Sequence, residues 1–450
     1  MNAVWAIGQQ DMHKSLMQQM QPHSFFDTYT RNSFKEPNRA HWIDGWKIEY
    51  VAFGLEKTMH LSPIVIIGGA FQNFNSYKYC VEQLLECGPV ILVDLPSMGG
   101  NQQITNAETG ESAGILELPE LSAMLGQWMD DMGLEKVSIM GMSLGSVIAS
   151  HFADQRPHQI DRIVLMGVMQ KTRPSWRMLL EESLHLMRED RMEEFGQAVI
   201  LYLINHAKLE QTRMSPTAKR LFFRQMADFA NTERQRYEIN CNRLLRLKHV
   251  PSPRCKTLVA CGEFDSFTLP FENANFALGC EDMQFALIEN ADHVPQLQRR
   301  KETMNLFAAF LQGSDLTEVE GVRVLDREQM ENMERRGEPR VRLKQSTFMM
   351  RHRTLTNLQP QVNVVDINFF GVCLDAGSES LAQQLLMQPR DMSLLLTNID
   401  GEELAIECLI FEAQGSRVRA LFKHGDFENA ADLLALLNSD LVIDQWSYNS

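Results

Sequence analysis

The sequence predicts an α/β fold, a mainly parallel sheet with a helical cap, followed by a small six-stranded β-barrel. Three observations carry this expectation. Apolar runs of strand length alternate with helical patterns from Lys47 to Leu311. Between about Trp176 and Leu247 the periodicity is helical almost throughout. Beyond Glu334 short strands follow one another, mostly without helices between them.

Residues 1–40 are polar and weakly patterned, an extension with no assigned role. Lys47–Gly54 and Pro63–Ile67 read as strands, the second ending in the tight turn Gly68-Gly69-Ala70. Pro89–Leu92 is a third strand, ending in Asp94-Leu95-Pro96-Ser97-Met98-Gly99-Gly100. Leu118–Met132 has helical spacing. Lys136–Met140 is a short apolar strand, and Ser146–Gln155 carries Val147, Ile148 and Phe152 on one helical face. Arg162–Met166, Lys256–Cys261 and Gln284–Ile288 are further strands, and a helix over Thr303–Leu311 closes the unit. Strands alternating with helices imply a parallel sheet covered on both faces. The unit runs over 41–312, with the cap inserted at about 170–250.

Residues 313–333 are charged and poor in large apolar side chains, which predicts a linker. The unit 334–450 offers strands at Val341–Met350, Gln361–Val365, Gly371–Leu374, Asp391–Leu396, Glu402–Phe411 and Arg417–Phe422, then a helix at Phe427–Leu437. Turn signals such as Asn398-Ile399-Asp400-Gly401 separate them, a pattern that suits a small barrel.

Composition narrows the function classes. A chain of 450 residues suggests two or three domains, and 44% hydrophobic residues suffice for a core. No apolar run is long enough to span a bilayer, and the N-terminus has no basic segment leading into an apolar one. The eight cysteines are scattered without C-x-x-C pairs or zinc spacing, so free thiols, no metal and a cytoplasmic location are expected. The net charge of −15 disfavours nonspecific binding to nucleic acid. The 26 methionines are chiefly core filler, although flexible thioethers also suit apolar ligands.

Gly141-Met142-Ser143-Leu144-Gly145 lies between a strand and a helix. A G-x-S-x-G in that context forms a sharp turn that exposes the serine hydroxyl at the top of a sheet. Such a hydroxyl needs a base within reach, and the base needs an orienting acid. Asp265 and His293 each follow the carboxyl end of a strand, in the order serine, acid, histidine. Glu263 and Asp292 are rival acids that read as solvated loop residues. The amide of Leu144 and one from the Gly69-Ala70-Phe71 turn, that of Ala70, are expected to form an oxyanion hole.

Through these motifs, residues from about 45 to 312 resemble an α/β-hydrolase. Gly69-Ala70-Phe71 with Ser76, Val93-Asp94-Leu95-Pro96 and Gly262-Glu263-Phe264-Asp265-Ser266-Phe267-Thr268 are similar to the rhamnolipid-precursor synthases. That resemblance implies joining of two 3-hydroxyacyl units carried as acyl-carrier-protein or coenzyme A thioesters. Gly141 gives an ordinary turn where that subfamily can carry another small residue, and Asp292 and Gln298 stand where many relatives have Gly and Glu.

Farther on, Glu334-Arg335-Arg336-Gly337-Glu338-Pro339-Arg340 places Arg336 and Arg340 at R-x-x-x-R spacing, and Asp366-Ile367-Asn368-Phe369-Phe370-Gly371 follows at a strand connection. Guanidinium groups chelate phosphates and stack on purines. A short Asp or Asn turn hydrogen-bonds a base or fixes its own loop, and Gly371 allows close approach. Together these residues resemble a PilZ domain, the bacterial receptor module for cyclic di-GMP, over Glu334–Leu437, with Asn368 replacing the family's Ser. The resemblance implies cyclic di-GMP binding by Arg335, Arg336, Arg340, Asp366, Asn368 and Gly371.

The combined expectation is a cytoplasmic serine hydrolase or acyltransferase acting on fatty acyl or 3-hydroxyacyl esters and thioesters. It would need no catalytic cofactor, take cyclic di-GMP as a regulatory ligand that orders Gly313–Arg340, and have acyl-carrier protein and transient inner-membrane contact as candidate partnerships. The alternative is a catalytically weak signalling adaptor that answers cyclic di-GMP through protein partners.

Overall fold

The computed structural model describes residues 25–355 and 357–446. Of the polar extension expected over residues 1–40, residues 1–24 lie outside the described residues. Strands are numbered in chain order, and helices longer than one turn likewise.

The first unit is a nine-stranded sheet in the order β1-β2-β4-β3-β5-β6-β7-β8-β9. The strands are β1 (Arg39–Ile43), β2 (Trp46–Phe53), β3 (Ile64–Ile67), β4 (Val90–Asp94), β5 (Val137–Met142), β6 (Ile160–Met166), β7 (Lys256–Gly262), β8 (Asp282–Ile288) and β9 (Val322–Leu325). From β4 to β8 all neighbours are parallel. Every residue of β3 and β4 is buried, as a strand covered on both faces requires. Successive side chains point to opposite faces. Val65 and Ile67 therefore join one core with Trp128 of α1 (Leu118–Asp131) and Phe152 of α2 (Leu144–Gln155). Ile64 and Ile66 join the other core, with Phe307 and Phe310 of a later helix, Arg300–Gln312.

The cap follows β6. Its main helices are α3 (Pro174–Arg188), α4 (Met192–Leu203), α5 (Pro216–Ala227) and α6 (Asn231–Arg246). They close on a core of their own that includes Trp176, Leu184, Phe195 and Tyr237. After it come α7 (Pro270–Leu278) and α8 (Arg300–Gln312).

The stretch 313–333, expected as a linker, is instead folded onto this unit. Leu316 is fully buried, β9 pairs antiparallel with β8, and Met330 of α9 (Arg327–Glu331) is buried in the first core. Asp326 caps α9 by accepting the Gln329 amide at 2.8 Å. A few apolar anchors among charged neighbours suffice to dock such a segment, and composition alone does not register them. The expected ordering of Gly313–Arg340 by a ligand is corrected accordingly, because most of that stretch is already held by pairing and burial.

The second unit contains β10 (Arg340–Leu343), β11 (Thr347–His352), β12 (Gln361–Asn368), β13 (Gly371–Asp375), α10 (Glu379–Leu386), β14 (Met392–Thr397), β15 (Glu403–Gln414), β16 (Arg417–Phe422), α11 (Phe427–Leu437) and β17 (Val442–Trp446). Six antiparallel strands, β11-β14-β15-β16-β13-β12, form a ring that β11 and β12 close through Phe348↔Val362. The expected strand Val341–Met350 divides into β10 and β11. β10 lies outside the ring, paired with β17 and joined to β12 at Val341↔Ile367. The helix α10 is not among the expected elements, and its Ala382 and Leu385 plug the barrel core.

The barrel sits against the cap. Leu201 of α4 is part of the barrel's core, and the Tyr202 hydroxyl donates to the Phe422 carbonyl at 2.6 Å. Lys423 Nζ lies 2.8 Å from Glu407, 3.5 Å from Glu182 and 3.6 Å from Glu194. Arg390 donates to Glu182 at 2.9 Å. The side chains of Lys423 and Glu182 are 5% and 3% exposed. Glu182 takes its counter-charges from the barrel's Arg390 and Lys423, while Lys423 is shared between Glu407 of its own unit and Glu182 and Glu194 of the cap. Removing one member of a buried ionic cluster strands the rest at a cost of about 3 kcal/mol. Lys423→Ala should lower unfolding free energy by that order, read as a reduced urea midpoint.

Candidate active site

Ser143 occupies the junction of β5 and α2 with φ +50° and ψ −115°, outside the ordinary L-residue regions. Its neighbours make the turn feasible. A side chain at Gly141 would come within 2.6 Å of the Gly145 carbonyl, and one at Gly145 would collide with the Ile67 carbonyl of β3. The Ser143 amide donates to Met166 O at 2.7 Å, which ties the turn to β6.

His293 and Asp265 meet Ser143 from the ends of β8 and β7. His293 Nε2 is 3.1 Å from Ser143 Oγ, and Nδ1 is 2.8 Å from Asp265 Oδ2. Asp265 Oδ1 accepts the amides of Phe267 and Thr268, both at 2.9 Å, and Oδ2 accepts the Thr268 hydroxyl at 2.8 Å. Asp265 is 1% exposed and His293 8%. Burial alone would lower the histidine's pKa, but the charge and hydrogen bond of Asp265 and the charge of Asp292 outweigh it, and the pKa is raised. A serine, an imidazole and an oriented carboxylate in this chain can deprotonate the hydroxyl as it attacks a carbonyl.

Leu144 opens α2, where the first amides have no intrahelical acceptor. A Cβ at Gly69 would sit 3.2 Å from Ser143 Cβ, so the β3 turn approaches the serine closely. The Gly69 amide is occupied by Gln72 Oε1 at 2.8 Å, and Tyr77 donates to the same oxygen at 2.8 Å. Gln72 thus shapes the turn, a role that no motif announces. Ala70 and Leu144 both line the cavity above Ser143.

That cavity is largely apolar. The cap contributes Leu179, Leu180, Val199, Phe222 and Leu244. The barrel contributes Leu409 and Lys423, which the sequence did not connect with this site.

The rival acids have other partners. Glu263 accepts the Asn290 amide at 3.1 Å and pairs with Arg323 at 3.0 Å. Asp292, expected as a solvated loop residue, is fully buried. Its carboxylate accepts Val294 N at 3.1 Å, Asn205 N at 3.0 Å and Gln298 Nε2 at 2.7 Å, and burial raises its pKa to about 7. Gln298 Oε1 in turn accepts the Asp292 amide at 2.9 Å. Asp292 and Gln298 are therefore bonded to each other twice.

The arginine region lies where the units meet. Arg340 is ion-paired with Asp366. Asn368 accepts the amides of Phe370 at 3.1 Å and Gly371 at 3.0 Å, so it fixes its own turn. At Gly371 a Cβ would collide with the Ala420 carbonyl, so the glycine serves strand packing where ligand approach was expected. Arg335 stacks over the Phe271 ring of α7 at 5.5 Å and thus faces the first unit. The Arg336 amide donates to Glu334 at 3.2 Å.

All eight cysteines are free. Among the described residues, no group of three potential metal ligands occurs and no helix is long and apolar enough to cross a membrane.

The family with the alpha/beta hydrolase fold matches residues 62–299, more than half of the chain. The chain belongs to this hydrolase family. One relative is a 2-hydroxy-6-oxononadienedioate/2-hydroxy-6-oxononatrienedioate hydrolase of Cupriavidus pinatubonensis, 24% identical over 247 residues, covering 53% of this chain and 81% of the relative. Another is the abhydrolase domain-containing protein abhd-5.2 of Caenorhabditis elegans, 27% identical over 106 residues. This match covers 23% of the chain and only 22% of that relative's length. Among solved structures, MGS-M2, an alpha/beta hydrolase from a Medee basin deep-sea metagenome library, aligns with a TM-score of 0.53 and 19% identity over 62% of this chain and 98% of its own. A thermophilic esterase from Thermogutta terrifontis aligns with a TM-score of 0.50 and 18% identity, over 62% of this chain and 99% of its own. At these identities the structural likenesses establish the fold.

Because the His293 pKa is raised, its neutral form should be lost as pH falls through a value above the ordinary 6.5 or so. In Asp265→Asn the supporting charge is gone and burial dominates, so the pKa should drop. Histidine-selective NMR titration measures both.

Proposed function

We propose that this hydrolase acts through Ser143 on fatty acyl or 3-hydroxyacyl esters and thioesters. The observation that carries the reading is the hydrogen-bonded chain Ser143–His293–Asp265 opening into an apolar cavity under the cap. Ser143 Oγ attacks the acyl carbonyl as its proton passes to His293 Nε2. The amides of Leu144 and Ala70 receive the developing oxyanion. Collapse expels the alcohol or thiol, which takes its proton from His293, and leaves an acyl-enzyme. Water resolves that intermediate to a free acid, and the hydroxyl of a second 3-hydroxyacyl unit resolves it to a dimeric ester. The apolar walls exclude bulk water and so favour the second course. Acyl-carrier protein or coenzyme A is the proposed carrier, and the cytoplasm the proposed location.

The six-stranded barrel is proposed as a PilZ-like receptor for cyclic di-GMP. Arg336 and Arg340 would hold phosphate, with Arg340 exchanging its carboxylate partner Asp366 for the ligand. Asn368 would act through the turn it already fixes.

A fluorophosphonate probe should label the wild-type chain at Ser143 and leave Ser143→Ala unlabelled. Turnover of medium-chain acyl thioesters should fall at least about a thousandfold in the same variant. Normal cellular behaviour of Ser143→Ala, with no labelling of wild type, would favour a signalling adaptor instead. For the barrel, calorimetry should show cyclic di-GMP binding to wild type and loss of at least about tenfold in affinity in Arg336→Ala/Arg340→Ala, since charge-assisted bonds contribute roughly 1.5–3 kcal/mol each. Unchanged affinity would remove the arginines from the site.

A further inference from the structure

Asn205, just beyond the end of α4, is fully buried and touches both turns that present partners to Ser143. Its backbone N–H donates to Asp292 Oδ2 at 3.0 Å, and its side-chain Nδ2 donates to Phe264 O at 3.1 Å. Phe264 immediately precedes Asp265, and Asp292 immediately precedes His293. One residue of the cap is thus fastened beside the acid and beside the base.

The second Nδ2 proton goes to the barrel unit. It is donated to Glu338 Oε1 at 3.1 Å. Glu338 is 7% exposed, lies between Arg336 and Arg340, and pairs through its other oxygen with Lys208 at 3.3 Å. The Glu338 carbonyl accepts Asn368 Nδ2 at 3.2 Å, which continues the connection into the turn after β12. The loop also packs directly on the acid's turn. A Cβ at Gly337 would lie 2.9 Å from Leu269 Cδ2 and 3.7 Å from Asp265 O.

The Asn205 amide oxygen is buried without a donor. Its orientation therefore rests on the two acceptors facing Nδ2. A flip would set Oδ1 against the Phe264 carbonyl and the Glu338 carboxylate, two repulsive contacts in a low-dielectric site. Removing Glu338 leaves one N–H unsatisfied and removes half of what orients the group.

We propose that Asn205 and Glu338 are positioning residues, through which the barrel's first loop holds the turns of Asp265 and His293 in register with Ser143. The proposal rests on Ser143 being the nucleophile. It gives the barrel a direct influence on turnover, because the loop between the two arginines is itself the brace.

The test compares wild type, Glu338→Ala, Glu338→Asp and Glu338→Gln as full chains, using hydrolysis of a p-nitrophenyl hexanoate probe and the proton resonance of His293 Nδ1–H. Glu338→Gln keeps an acceptor for Asn205 and should match wild type. Glu338→Asp keeps the charge beside Lys208 but withdraws the acceptor by one methylene. Glu338→Ala should lower kcat about tenfold or more with KM nearly unchanged, and Glu338→Asp should lower it severalfold, since small misplacements of reacting groups are costly. The His293 resonance should shift or broaden in both. Wild-type kcat and resonance in Glu338→Asp, which keeps the interface charge and is the variant to use if Glu338→Ala fails to fold, would overturn the proposal. So would equal loss in Glu338→Gln. If wild type neither turns over the ester nor takes a fluorophosphonate, the serine-hydrolase reading falls, and the His293 resonance alone decides whether Glu338 positions the turn.

Discussion

The left-handed backbone at Ser143 is the constraint on which the rest of the site depends. A non-glycine residue holds φ +50° and ψ −115° only where the surrounding structure over-determines it. Here β3 presses on Gly145, the helix start presses on Gly141, and β6 takes the serine's amide. The parallel core strands are therefore more than a scaffold. Their buried, continuous apolar faces supply the rigidity that keeps a strained turn from relaxing. They also deliver β7 and β8 to the same edge, which is why Asp265 and His293 arrive beside Ser143 although they are distant in sequence.

Around that centre, buried polar groups do the joining. Asp292, Gln298, Asn205 and Glu338 form one connected set in which nearly every donor and acceptor is matched. Glu182, Lys423, Arg390 and Glu407 form another between cap and barrel. Such groups are expensive to bury unless paired, so each set fixes a particular docking of the two units. The barrel consequently reaches the site at two places: Leu409 and Lys423 line the cavity, and Glu338 stands behind the turns of the acid and base.

Much of the fold was legible because it rests on local patterns. Strands such as Ile64–Ile67 and Arg417–Phe422 carry unbroken or alternating apolar residues, and Phe427–Leu437 has a helical stripe with Asp426 as its cap. The Ser143 turn is legible for the same reason, since its five-residue pattern between a strand and a helix is local, although the demand on Gly145 comes from β3. The docking of 313–333 is not legible because its anchors, Leu316, Val319, Val322, Val324, Leu325, Met330 and Met333, are scattered among charged neighbours and their partners lie elsewhere in the chain. α10 was missed because it interrupts a run of strands and carries polar residues on its exposed face. Asp292 does lie in a loop, but its burial is not legible because nothing local says that Asn205 and Gln298 will enclose it.

The sequence by itself determined the two fold units, the strand–turn–helix around Ser143 and the order of its candidate partners, because these depend on backbone sterics and on short-range apolar periodicity. Only the tertiary structure decided that the barrel lies on the cap, that Leu409 and Lys423 enter the cavity, and that Glu338 and Asn205 stand behind Asp265 and His293. Those facts depend on hydrogen bonds and charge pairs between residues far apart in the chain, whose directions exist only once the sheet, cap and barrel are packed together.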